Sequence, residues 1–227
     1  MYRPERAGDD MIDLMQLDKY RENNRIEAKS ALGGLPHSVW ETYSAFANTL
    51  GGIILLGVEE YDDKSLHTVD LPDPEELVSE FWNIVNDPRK TSVNLLSMKD
   101  ITIENIGGDH IIVIKVPRAE RCCKPVYVDG DPLNIYRRSG EGDYRCRKDE
   151  ISEMLREATL PAQNISVLKT ETQKALIIDY LTDKTIASEA ELSKLLGVKA
   201  SRIKELVGEL LGENVVVNDG GEYRLCS

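Results

Sequence analysis

The sequence predicts a mixed-sheet α/β (α+β) unit followed by a small unit of three helices and a hairpin. Three observations carry that prediction. Strand-like and helix-like periodicities alternate over residues 1–160, the pattern of a sheet covered by helices. Leu160-Pro161-Ala162-Gln163-Asn164 then interrupts the pattern as a linker. Residues 165–227 carry their own apolar periodicity and their own turn signals.

Residues 1–21 are polar and acidic, and Met11, Leu14, Met15 and Leu17 are spaced as a short amphipathic helix. Arg25-Ile26-Glu27-Ala28-Lys29 alternates polar and apolar residues, the period of a strand. Gly33-Gly34-Leu35-Pro36 breaks it. From Ser38 to Thr49, the residues Val39, Trp40, Tyr43, Phe46 and Ala47 share one helical face, with Ser38 as the expected N-cap. Gly51-Gly52 stops that helix, and the apolar run Ile53–Val58 predicts a strand buried on both faces.

Tyr61-Asp62-Asp63-Lys64 reads as a turn, and Pro74–Val85 as a helix opened by Asp73. Lys99–Val116 holds the clearest hairpin: Ile101, Ile103 and Ile106 lead into Gly107-Gly108-Asp109, and Ile111–Val116 return. Two shorter strands are expected near Val126–Val128 and Leu133–Arg137, then a helix over Lys148–Ala158.

In the second unit Thr172–Leu181 and Ser188–Leu196 read as helices, the latter opened by a capping box from Ser188 and Glu191. Gly197-Val198 forms a tight turn and Ala200–Leu211 a third helix. Val215–Val217 and Glu222–Leu225 make a hairpin across Asn218-Asp219-Gly220-Gly221. That order matches a winged helix-turn-helix.

The 227 residues are 41% hydrophobic and 30% charged, ordinary for a globular protein, with a formal net charge of −12. Such a balance argues against a protein that coats DNA generically, and it confines any nucleic-acid contact to a local, salt-sensitive basic surface. Cys122, Cys123, Cys146 and Cys226 form no CxxC pair and have no His at metal-ligand spacing, which argues against structural zinc and for reduced thiols. The longest aliphatic run, Ile53–Leu56, falls far short of the ~20 residues that span a bilayer, and the N-terminus has no apolar targeting core. A cytoplasmic protein with no membrane partner is expected.

Four segments, in order, carry a resemblance: Glu22-Asn23-Asn24-Arg25-Ile26-Glu27-Ala28-Lys29; Ser44-Ala45-Phe46-Ala47-Asn48-Thr49-Leu50-Gly51-Gly52; Ile54-Leu55-Leu56-Gly57-Val58-Glu59-Glu60; and Lys124-Pro125-Val126 with Ile135-Tyr136-Arg137-Arg138-Ser139-Gly140. Together they resemble the Schlafen AlbA-type domain over roughly residues 18–157. Ala28 stands where the family has an aromatic, and Glu59-Glu60 where it has two aspartates. The resemblance implies a nucleic-acid-binding domain. Where such domains are nucleases, it implies a divalent cation held by three acidic residues that cleave RNA. By motif these fall on Glu22, Glu27 and Glu60, with Lys29 placed to steady a phosphate.

Elementary chemistry is compatible with that implication. Glu27 and Lys29 share a strand face, and Glu60 follows a buried strand. Mg²⁺ or Mn²⁺ prefers carboxylate oxygens and can activate a water. The alternative is a set of solvated carboxylates, with Glu27–Lys29 a surface pair worth ~0–1 kcal/mol. Glu rather than Asp at position 60 also moves the oxygens by about 1.5 Å. From Arg118 to Lys148 eight basic residues face five acidic ones, and Lys124, Arg137 and Arg138 are the expected phosphate contacts there. The alternative is a solvated turn beside an edge strand.

Asn48–Gly52 lacks P-loop order and follows a helix, so ATP is not expected. In the second unit Lys199, Arg202 and Lys204 are the candidate contacts on the recognition helix. Residues 161–227 nevertheless carry eight positive against ten negative side chains, so docking of a protein partner stands beside DNA contact. Three functions follow. The first is a DNA-binding or transcriptional regulator. The second is a metal-dependent endoribonuclease acting on structured RNA. The third is an oligomeric scaffold or ATP-binding protein. The resemblance places nucleic-acid binding, to DNA or structured RNA, first, and it implies a homodimer.

Overall fold

The structure is a computed structural model and describes residues 12–157 and 163–226. A 3-10 helix (Leu14–Lys19), capped by the Asp13 side chain, opens the described chain. Met11, expected in that helix, lies outside the described residues. The period-two segment becomes β1 (Ile26–Lys29), followed by α1 (Ser38–Asn48) and β2 (Gly52–Leu56). β1 and β2 run parallel, Ile26 opposite Ile53 and Lys29 opposite Leu56, as a helical crossover allows.

The apolar run expected as one strand is broken at Gly57 (φ 80°). A side chain there would lie 2.9 Å from Leu71 Cγ and 3.0 Å from the Val69 carbonyl, so only glycine fits the bend. Beyond it β3 (Val58–Glu60) leaves the sheet and pairs with β4 (Leu66–Thr68) across the Tyr61–Lys64 turn. α2 (Pro74–Val85) follows, its Asp73 cap accepting from Glu76 N. β5 (Ile101–Ile106) and β6 (Asp109–Val116) form the expected hairpin. β6 also pairs antiparallel with β2, giving a mixed sheet ordered β1-β2-β6-β5 with β1 at an edge.

Alternation sorts the sheet into two cores. Ile54, Leu56, Ile112 and Ile114 pack with Tyr43 and Phe46 of α1 and Phe81 of α2. Leu55, Ile111 and Val113 pack on the opposite face with Leu17, Val58 and Leu66. Each fully buried large apolar side chain contributes about 1.5–3 kcal/mol. Two local expectations are corrected. Ser38 is not the cap of α1, because His37 already has helical φ and ψ and no side chain caps the helix. The segment near Val126–Val128 forms only the single bridges Thr91–Val128 and Tyr127–Ile135, and of Leu133–Arg137 only Tyr136 and Arg137 enter a regular strand. The regular hairpin lies further on, in β7 (Tyr136–Ser139) and β8 (Gly142–Arg145).

α3 (Lys148–Glu157) and α4 (Gln163–Lys184) come next. Ala158 and the Leu160–Ala162 part of the expected linker lie outside the described residues, while Gln163 and Asn164 open α4. α4 is longer than the Thr172–Leu181 periodicity suggests because no Gly or Pro interrupts 163–184. β9 (Ala187–Ser188), α5 (Glu189–Leu196), α6 (Ala200–Gly212), β10 (Val216–Asp219) and β11 (Glu222–Leu225) complete the chain. The three strands form an antiparallel sheet, β10-β11-β9. The Ser188–Glu191 capping box is present, and Gly197 ends α5 in the left-handed conformation. The core of this unit runs through Ile151, Met154 and Leu155 of α3 to Tyr127 and Ile135. Among the described residues no helix is long and apolar enough to cross a membrane.

Candidate functional site

The site is built outward from α1. Its apolar face is buried, yet Ser44 and Asn48 are buried as well. Both act on backbone. Asn48 Nδ2 donates to the Val126 and Tyr136 carbonyls (2.8 and 3.2 Å), and Asn48 Oδ1 accepts from Val126 N (2.9 Å). Ser44 Oγ donates to Val126 O and accepts from Tyr136 N. Thr49 Oγ1 accepts from Arg138 N. These side chains supply partners to the Val126 backbone and to the edge of β7 that faces α1 at Tyr136, satisfying buried amides and carbonyls. A Cβ on Gly52 would lie 2.7 Å from the Phe46 ring, so that ring packs directly against backbone.

This framework delivers Arg138 into the interior. Its side chain is 1% exposed, and its guanidinium carbon lies 5.2 Å from the centroid of the Phe46 ring. Nε and Nη2 donate to the Asn23 carbonyl, and Nη2 also donates to that of Ile26. Nη1 donates to Asp143 Oδ1 at 3.0 Å, while Asp143 Oδ2 accepts from Thr42. Nη2 stands 2.7 Å from Glu27 Oε2. Its N–H bonds point at the two carbonyls, so that oxygen is ion-paired without an aligned hydrogen bond. Glu27 Oε1 accepts from Lys29 Nζ at 2.6 Å. Both side chains of that pair are largely buried rather than solvated. Removing two charges from water costs several kcal/mol, offset here by multiple partners on each group.

Glu22 lies beside them. Its Oε1 accepts from the Ala28 amide at 2.8 Å, on an edge strand where no neighbouring strand would take that donor. Burial pushes the Glu22 carboxyl above the usual range, and the Ala28 N–H partly counters it. The charges of Glu27 and Glu60 add to the rise, and Lys29 opposes it. The fold therefore brings Glu22, Glu27, Glu60 and Lys29 into one electrostatic neighbourhood. Glu60, at the end of β3, accepts from Lys64 Nζ at 2.7 Å, and its buried Oε2 has no partner among the described residues.

A divalent cation does not fit this arrangement as it stands. Glu27 faces a cation at each oxygen, Glu22 is engaged with an amide, and Glu60 is engaged with a lysine. Among the described residues no three His, Cys, Asp or Glu side chains converge to hold a metal ion.

The expected phosphate contacts divide. Arg138 is enclosed and faces no solvent. Arg137, next to it in β7, is exposed and 3.6 Å from Glu150. Lys124 Nζ donates to the Asn48 carbonyl. On α6, Lys199 and Lys204 are exposed, the latter 3.9 Å from Glu189. Arg202 donates to Glu205, Thr170 and Gln173. Cys146 is buried and its thiol is pushed up to about 12 by burial, the mark of an inert core thiol. Two participants were missed at the sequence level. Asp143 lies opposite Arg138 in the β7–β8 register, a pairing that reading Ser139–Gly142 as a hairpin turn would have found. Lys64 stands four residues after Glu60.

Solved structures and a protein family resemble parts of this chain. The solution NMR structure of the N-terminal domain of a Nitrosomonas europaea protein, described as related to the ATP-dependent DNA helicase RecG, is 34% identical. That match covers 58% of this chain and 88% of that one, with a TM-score of 0.43. The crystal structure of the DIP2311 protein from Corynebacterium diphtheriae is 16% identical over 60% of this chain and 27% of that one, with a TM-score of 0.40. No curated protein matches. The family described as Schlafen, AlbA_2 matches residues 22–147, from Glu22 through the β7–β8 hairpin. That span is more than half of the chain and holds Glu22, Glu27, Glu60, Arg138 and Asp143 together, so the chain belongs to the Schlafen AlbA_2 family.

Proposed function

We propose that the protein binds nucleic acid as a regulator does, holding DNA or RNA without cutting it. The observation that carries this reading is the state of Glu27. Lys29 and Arg138 face its two oxygens, so the central carboxylate is neutralised from within the protein. Membership of the Schlafen AlbA_2 family supports the nucleic-acid side of the reading. Arg137, Lys124, Lys199 and Lys204 are the proposed contacts, with Arg202 holding α6 against α4. We read residues 1–160 as the binding domain and 165–227 as a winged helix. In that unit α5, the Gly197 turn and α6 form the helix-turn-helix, and β10–β11 the wing. The carboxylates beside Lys204 and Arg202 weaken its positive field, which favours a docking or homodimer role for this unit. Light scattering on the purified protein measures that assembly.

The test is incubation with tRNA, duplex DNA and single-stranded DNA, with Mg²⁺, Mn²⁺ or EDTA, beside Glu27→Gln. Binding that persists in EDTA, with intact nucleic acid, is expected. Metal-dependent cleavage abolished in Glu27→Gln would establish the second reading, an endoribonuclease using Glu22, Glu27 and Glu60. That reading has one observation in its favour, the buried Glu60 Oε2, which accepts no hydrogen bond among the described residues. It requires Lys29 and Arg138 to release Glu27.

A further inference from the structure

We propose that the C-terminal end of α1 is the centre of a phosphate-backbone site, with Arg118 and Arg121 as its direct contacts. It rests on the nucleic-acid reading above and names the surface by which that binding operates. Two separate stretches of sequence, Arg25 and the Arg118–Lys124 segment with its three cations, meet at residues 47–51. Arg25 Nη2 donates to the Leu50 carbonyl at 3.1 Å, and Lys124 Nζ donates to the Asn48 carbonyl. The Ala119 amide donates to Ala47 O at 2.8 Å, which draws the Arg118–Arg121 stretch to the same place. Gly51 (φ 75°) makes the approach possible. A Cβ there would lie 2.8 Å from both Arg118 N and Val116 O.

Arg25 and Lys124 have a structural reason to be there. The last carbonyls of a helix lack intrahelical donors and carry its negative end, and α1 has no basic residue in its own last turn. Arg118 and Arg121 have no such reason. Both are exposed, and among the described residues neither makes an ion pair or side-chain hydrogen bond. Other exposed arginines are engaged, with a carboxylate (Arg89 with Asp87, Arg145 with Asp131, Arg147 with Asp149) or with a backbone carbonyl (Arg21 with Asp18 and Tyr20, Arg156 with Lys194). The one acid between the two, Glu120, has Oε2 3.7 Å from Cys122 Sγ. Two unengaged guanidinium groups, backed by two further cations, suit phosphodiester oxygens of either DNA or RNA and read no sequence.

The experiment is fluorescence anisotropy of fluorescein-labelled duplex DNA, single-stranded DNA and a structured RNA over a salt series. It compares wild type, Arg118→Glu/Arg121→Glu, and a charge-matched control, Lys90→Glu/Lys99→Glu. Lys90 and Lys99 are also exposed, in the turn after α2 and just before β5. Circular dichroism verifies that all three fold. The arginine variant is expected to lose about tenfold or more in affinity, and its log K against log salt slope should fall by about 2. If it binds like the control while wild type binds a probe, the site is overturned and the nucleic-acid reading stands. If wild type binds none of the three probes, both fall.

Discussion

Arg25, in the turn that leads into β1, and Glu27, inside that strand, sit two residues apart and have opposite fates. Glu27 is buried at the centre of an internal network with Lys29, Arg138 and Asp143. Arg25 is exposed at the rim of a cationic turn. The acidic centre and the basic rim thus differ in solvent access more than in composition. A buried charge must be matched inside the protein, and once matched it holds structure together. An exposed charge keeps much of its hydration, so its pairing within the protein contributes little.

The largest expected effect breaks the acidic centre. Arg138→Gln leaves Glu27 and Asp143 buried without a full counter-charge and should cost about 3–5 kcal/mol in urea unfolding. A loss under about 1 kcal/mol would show that Glu27 is neutralised by Lys29 alone. Next comes the scaffold that delivers Arg138. Asn48→Ala orphans the Val126 amide and the Tyr136 carbonyl, while the Val126 carbonyl keeps Ser44, and should cost about 2–3 kcal/mol, read in the same way.

A smaller effect is carried by Glu22. Its carboxyl binds a proton more tightly in the folded protein than in the unfolded chain, because burial disfavours the charge. Its contribution to stability is therefore present in acid and lost as pH rises through its raised folded pKa. Glu22→Gln keeps an oxygen for the Ala28 amide. It should raise the melting temperature at neutral pH, with the gap to wild type closing below the usual glutamate range near 4.3. A gap independent of pH would remove Glu22 from the coupled cluster. The smallest effect belongs to the rim. Arg118→Glu/Arg121→Glu should leave stability within about 0.5 kcal/mol of wild type, since neither residue supports the fold. A larger loss would make these arginines structural and erase the contrast with Arg138.

Much of this architecture was legible before any coordinates. The β1 alternation, the α1 face, the β5–β6 hairpin, the Asp73 cap and the Ser188–Glu191 capping box all follow from local periodicity and turn chemistry. The family segments also grouped Glu22, Glu27, Glu60 and Lys29 as an expectation, and in the fold the charges of the other three act on Glu22. The break at Gly57 was not legible, because its cause is a contact with Leu71 and Val69 that the apolar run does not encode. The enclosure of Arg138 was equally hidden. It and Arg137 are adjacent, alike in chemistry and flanked by the same turn.

The sequence by itself determined the order and type of most elements, because those depend on residues a few positions apart. It also determined which residues could carry charge to a site. Strand alternation further required Arg137 and Arg138 to point to opposite sides. Only the tertiary structure decided which side was the interior. The partners of Arg138 include Asn23 and Ile26, more than a hundred residues away, and burial is a property of such distant pairs rather than of the local chain.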